Sequence, residues 1–133
     1  MSACLTYPEA LRLPFAAHSV AVARHRLQAW MLERGDAPEL VDDARVVVSE
    51  LVANSVRHAS PLPDGTILVQ WGLGSDGVEL TVTDGGGTTR PHNVRAASSA
   101  LHGRGMAIVE VLARRWWAEV STSRSTVHAV LYV

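Results

Sequence analysis

The strongest constraint on this chain is one uninterrupted helical pattern over residues 38–59. It opens at Asp36-Ala-Pro38, where an acid and an early proline suit a helix start, and it breaks at Ser60-Pro61. Leu40, Ala44, Val47, Val48, Leu51, Val52, Ser55, Val56 and Ala59 make one apolar or small face. A face of that length needs a second layer to cover it. Asp43, Glu50, Asn54 and Arg57 fall on another side, at offsets of seven, four and three residues. That sets a carboxylate and an amide one turn apart, both pointing out of one groove.

Strands supply the covering layer. Residues 66–72 alternate Ile67, Val69 and Trp71, and residues 77–83 alternate Val78, Leu80 and Val82. With Gly72–Gly77 between them they read as a hairpin. Residues 9–15 alternate up to Pro14, as an edge strand does. A helix over 18–34 buries Val20, Ala23, Leu27, Trp30 and Met31 and stops at Gly35. A further helix is predicted over 104–116, with Met106, Ile108, Val109, Leu112 and Ala113 inward, followed by strands over 117–123 and 126–133. Trp116 and Trp117 must point opposite ways, so one of them is a candidate exposed contact. The order β-α-α-β-β-α-β-β predicts an α+β fold: a two-layer α/β sandwich, helices on one face of a mixed, mainly antiparallel sheet. Residues 1–133 read as one domain.

Composition removes several function classes. Twelve basic and thirteen acidic residues leave a net charge of -1, so no basic excess draws the chain to nucleic acid or an anionic membrane. No apolar run approaches the roughly 20 residues that a membrane helix needs. The first residues lack a basic-then-apolar leader pattern, and Cys4 is the only cysteine, so a reducing, cytoplasmic setting is expected. The six histidines are scattered, which argues against zinc.

Three segments carry candidate chemistry. Glu50 and Asn54 place an acceptor-only carboxylate beside an amide whose oxygen suits magnesium; a solvated polar stripe fits the same spacing. Asp84-Gly-Gly-Gly87 ends a strand, where an acid can accept from an exocyclic amine such as adenine's and glycine lets backbone approach a flat ring. A plain turn also fits. Gly103-Arg104-Gly105 opens a helix whose unpaired first amides can cradle phosphate. It is neither a P-loop nor a dinucleotide fingerprint. Between the last two lies the one long irregular stretch, to about Leu101, and such stretches in compact domains are usually functional.

Taken in order, these segments resemble a family. Val48-Ser-Glu-Leu-Val-Ala-Asn-Ser-Val-Arg-His-Ala59 resembles the N-box of the GHKL ATPase superfamily. Val82-Thr-Asp-Gly-Gly-Gly87 resembles its first glycine box and His102-Gly-Arg-Gly-Met-Ala-Ile-Val-Glu-Val-Leu-Ala113 its second. The similarity covers about residues 10–133 and is nearest to the anti-sigma-factor serine kinases. It implies a Bergerat-type ATP-binding fold with ATP and Mg²⁺ as cofactors. Glu50 would be the general base toward a partner's serine, and Asn54 would bind Mg²⁺. Asp84 would accept from the adenine amine, with Gly86 under the ring. Gly103, Arg104 and Gly105 would lie along the phosphates with Met106 beside them, and Thr126 near the adenine side. The implied partners are an anti-anti-sigma (STAS-type) protein, a sigma factor, or both; the exposed surface of the first helix is a candidate face for a partner or a second copy of the chain. Two functions follow: a serine/threonine kinase, or a non-catalytic ATP-binding module that sequesters a regulator.

Overall fold

A computed structural model describes residues 9–87 and 106–132. In chain order the elements are strand β1 (Glu9–Pro14), helix α1 (Ser19–Arg34), helix α2 (Pro38–His58), strands β2 (Thr66–Leu73) and β3 (Gly77–Asp84), helix α3 (Ala107–Leu112), and strands β4 (Arg115–Val120) and β5 (Ser125–Tyr132). The strands form one sheet in the order β1-β2-β3-β5-β4. Every pairing among them is antiparallel, where a mixed sheet was allowed for.

Register turns the alternating sequence into a continuous apolar layer. Leu11, Val69, Val82, Val127 and Ala118 form one row across all five strands. The next row sets Trp71 against Leu80, Ala129 and Trp116. Onto this layer α1 packs Ala23, Leu27 and Met31, and α2 packs Val41, Ala44, Val48, Leu51 and Val52. Trp71, Leu80, Leu27 and Met31 are completely buried. Burial of such side chains is worth about 1.5–3 kcal/mol each, so this shared layer holds α2 in register with the ends of β3 and β5.

The opposite sheet face is partly polar. Thr83 and Thr126 pair by their hydroxyls at 3.0 Å. Trp117 stacks on His128 with centroids 4.6 Å apart, and His128 Nε2 lies 2.8 Å from Glu119 Oε1. Trp116, on the helix side, packs against the core. The adjacent tryptophans therefore do face opposite ways, but both are half-buried and neither is the exposed contact expected.

Local readings needed correction at two helix ends. Asp36 does not cap α2: the N-cap is Ala37, without a side-chain hydrogen bond. The Asp36 carboxylate instead receives Arg34 through Nε at 3.0 Å and Nη2 at 3.1 Å. That hydrogen bond holds the Arg34 guanidinium above its ordinary value, and Arg34 also lies 4.8 Å over the Trp30 ring. The third helix ends at Leu112, short of the predicted 116, because the Arg114 N–H already bonds Val130 O at 2.7 Å and Arg115–Trp117 pair with β5. Among the described residues, no helix is long and apolar enough to cross a membrane.

Candidate functional site

The C-terminal half of α2 lies against the end of β3, and three short connections fix it there. Past the helix, Gly85 N–H donates to Ser60 O and Ser60 N–H to Gly86 O, each at 2.8 Å. Ala59 and Gly87 form an antiparallel bridge in the same place. The break at Ser60-Pro61 thus places the turn against the glycines. The fit leaves no room for a side chain at Gly85, where a Cβ would stand 2.0 Å from Pro61 O.

Asp84 is the centre of the site. It is 3% exposed. Oδ1 accepts the Gly86 N–H at 2.8 Å, and Oδ2 accepts the Ser55 hydroxyl at 2.5 Å. The first bond is the short-range turn that Asp-Gly sequences favour, and Gly86 adopts a φ of 90° to make it. The second crosses from α2. A buried carboxylate needs such donors to remain charged.

Asn54 neighbours Ser55 on the helix and is equally buried, at 3% exposure. Its Nδ2 lies 3.4 Å from Met106 Sδ, which ties the N-box helix to the start of α3. Sequence spacing had put Asn54 on an open polar groove with Glu50, but only Glu50 remains partly accessible. Glu50 lines a groove of about 500 Å³ between α1 and α2, with Arg24, Asp42, Arg45, Val46 and Ser49. It stands one helical turn before Asn54, about 7.5 Å along the axis from Ser55 at 1.5 Å per residue.

The structure therefore gathers Asn54, Asp84, Gly86 and Met106, with Glu50 a turn away. It does not bring Thr126 to them. Thr126 pairs with Thr83, whose side chain alternates to the sheet face opposite Asp84. The residue directly across from Asp84 is Ser125, which is 7% exposed. Gly103, Arg104 and Gly105 lie outside the described residues. Sequence reasoning missed Ser125, because strand register is not written locally. It also placed Ser55 among the small residues of the apolar face. A hydroxyl there needs a buried partner, and that was the available signal.

Residues 13–131 match the family described as the histidine kinase-like ATPase domain, HATPase_c_2. The chain belongs to this family. All of the gathered residues fall inside the matched span of the ATPase domain. Among relatives, the domain is 34% identical over 77 residues to the serine-protein kinase RsbW of Listeria innocua, covering 57% of this chain and 49% of that one. It is 29% identical over 86 residues to the serine-protein kinase RsbW of Bacillus cereus, covering 65% and 54%. The chain spans about half the length of the relatives it matches. The crystal structure of the RsbU and RsbW domains of Rv1364c from Mycobacterium tuberculosis superposes with a TM-score of 0.74 over 96% of this chain and 32% of that one, at 23% identity. That likeness establishes the histidine kinase-like fold.

The residues present fit Mg–ATP by their chemistry. The Asp84 carboxylate, whose oxygens accept from Ser55 and Gly86, offers the acceptor atoms that an exocyclic amine needs. Among the described residues, apart from its chain neighbours, the atom nearest a Cβ at Gly86 would be the backbone N of Arg124, at 3.6 Å. Asn54 offers a hard amide oxygen. Mg²⁺ prefers oxygen and takes much of its shell from phosphates and water, so one amide oxygen is a fitting protein contribution.

Proposed function

We propose that this domain binds Mg–ATP and acts as a serine/threonine protein kinase on an anti-anti-sigma (STAS-type) partner, engaging a sigma factor as its second protein. The observation that carries the reading is the buried Asp84 carboxylate, pinned by Ser55 and Gly86 at the end of β3. In this reading Asp84 accepts from the adenine amine and so orients the base. Gly86 leaves backbone open to the ring, and the Asn54 oxygen is a magnesium ligand. Gly103, Arg104, Gly105 and Met106 line the phosphates. Glu50, half-exposed beside the groove between α1 and α2, takes the proton of the partner's serine hydroxyl. Bound Mg–ATP supplies the transferable phosphoryl group. Such transfer depends chiefly on positioning and charge stabilisation. The similarity to serine-protein kinases named RsbW supports the choice of reaction, and the resemblance of the three motifs to the anti-sigma-factor kinases supports the partner class.

The test is calorimetric titration with ATP and Mg²⁺, followed by transfer of labelled phosphate to a STAS-type protein. Asp84→Asn swaps an acceptor for a donor and should weaken ATP binding by about 10- to 100-fold, as loss of a hydrogen bond to a charged group does. Glu50→Gln should bind ATP normally and transfer nothing. Equal binding by wild type and Asp84→Asn would sink the nucleotide reading. Normal ATP binding without transfer, and partner control unaltered by Glu50→Gln, would instead identify a non-catalytic module.

A further inference from the structure

We propose that Ser55 is a positioning residue that sets base selectivity, by holding Asp84 as an acceptor-only carboxylate; this rests on the reading that Asp84 meets the purine. Two serines of α2 show what is unusual. Ser49 Oγ donates back to Arg45 O at 2.7 Å, the ordinary choice for a serine inside a helix. Ser55, 4% exposed, makes a long-range bond instead and spends its proton on Asp84 Oδ2 at 2.5 Å. With Gly86 N–H on the other oxygen, each carboxylate oxygen faces a donor. Donors to both oxygens favour the charged form. A charged carboxylate attracts the amine at position 6 of adenine and repels the carbonyl that replaces it in hypoxanthine.

Removing the hydroxyl leaves a carboxylate at 3% exposure with one of these two donors gone. Burial then favours the neutral acid. A neutral acid carries an O–H that can donate to a 6-oxo group. Selectivity for the 6-amino purine should therefore fall even though Ser55 is not expected to touch the base. A purely structural serine would change stability and the affinity for both nucleotides together.

The experiment measures dissociation constants of ATP and inosine triphosphate, each with Mg²⁺, for the wild-type chain and for Ser55→Ala, Ser55→Cys and Ser55→Thr. Wild type should prefer ATP. Ser55→Ala should lose about tenfold in ATP affinity and about tenfold in the ATP-to-inosine-triphosphate preference. Ser55→Cys, a weaker donor of similar size, should fall between and stands in should the alanine variant not fold. Ser55→Thr, which keeps the hydroxyl, should restore the wild-type ratio. A ratio within twofold of wild type in both the alanine and cysteine variants overturns the role of Ser55 while leaving the ATP site intact. Wild type binding neither nucleotide overturns the site reading and this inference together.

Discussion

Replacing Gly85 by alanine tests whether the candidate site is seated by backbone contact. A Cβ there would lie 2.0 Å from Pro61 O, 2.8 Å from Pro61 C and 3.1 Å from Ser60 O. All three atoms are backbone, so no rotamer change relieves the clash. The segment after α2 must part from the end of β3, which strains the two 2.8 Å bonds between Ser60 and the glycines. Each is worth about 1 kcal/mol net, and forced overpacking costs about 1–3 kcal/mol. Alanine's smaller unfolded-state entropy returns about 0.4–1 kcal/mol. The net loss should be about 2–4 kcal/mol, or on the order of 10 °C in Tm for a domain of this size. Gly86→Ala is the control. Among the described residues, apart from its chain neighbours, the atom nearest a Cβ at Gly86 is the Arg124 backbone N at 3.6 Å, so the cost expected is that of a φ of 90°, about 1–2 kcal/mol. Urea unfolding followed by tryptophan emission, to which fully buried Trp71 contributes, gives both values. A Gly85→Ala variant within 0.5 kcal/mol of wild type, or more stable than Gly86→Ala, would refute the steric argument.

Two further substitutions probe the rest of the fold. Leu80→Ala, in the central strand and fully buried, should cost about 2–5 kcal/mol in urea unfolding. Val111→Ala, at 80% exposure, should stay within about 0.5 kcal/mol; equal losses would mean that the core is misplaced. The Thr66 hydroxyl, with its N–H and the Arg12 guanidinium, holds the Asp64 carboxyl below its ordinary 3.8. A depressed carboxyl stabilises the fold above its unfolded-state value, and that contribution is lost as pH falls through the lower folded-state value. Asp64→Asn should therefore melt below wild type at pH 7, with the gap narrowing below about pH 3.8. A gap constant from neutral to acid pH would contradict this linkage.

Much of the architecture was legible because it rests on local rules. Pro38 and Ser60-Pro61 bounded α2 to within a residue. The period-two runs through Ile67–Trp71 and Val78–Val82 gave a hairpin whose inward apolar residues are all buried, although Thr81 and Thr83 on the other face are buried as well. Where local rules failed, a longer-range contact won. Asp36 is a good capping residue by type, but Arg34 two residues away offered its carboxylate a charged partner. Residues 114–116 continue a helical pattern, yet β5 claimed them for the sheet: the Arg114 N–H bonds Val130 O, and Arg115 and Trp116 pair with Val130 and Ala129.

The chain alone determined which groups could act: an acid at a strand end followed by glycine, and a glutamate and asparagine one turn apart on a long helix. Those choices live in spacing, and spacing along a helix or strand is a local property. Only tertiary structure decided which atoms meet. Docking α2 on β3 joined Ser55 to Asp84 and buried Asn54 against Met106. The β3–β5 register turned Ser125, not Thr126, toward the face of Asp84. The physical reason is that strand side chains alternate with a period of two, so one residue of register selects the face, and only the packed core selects the register.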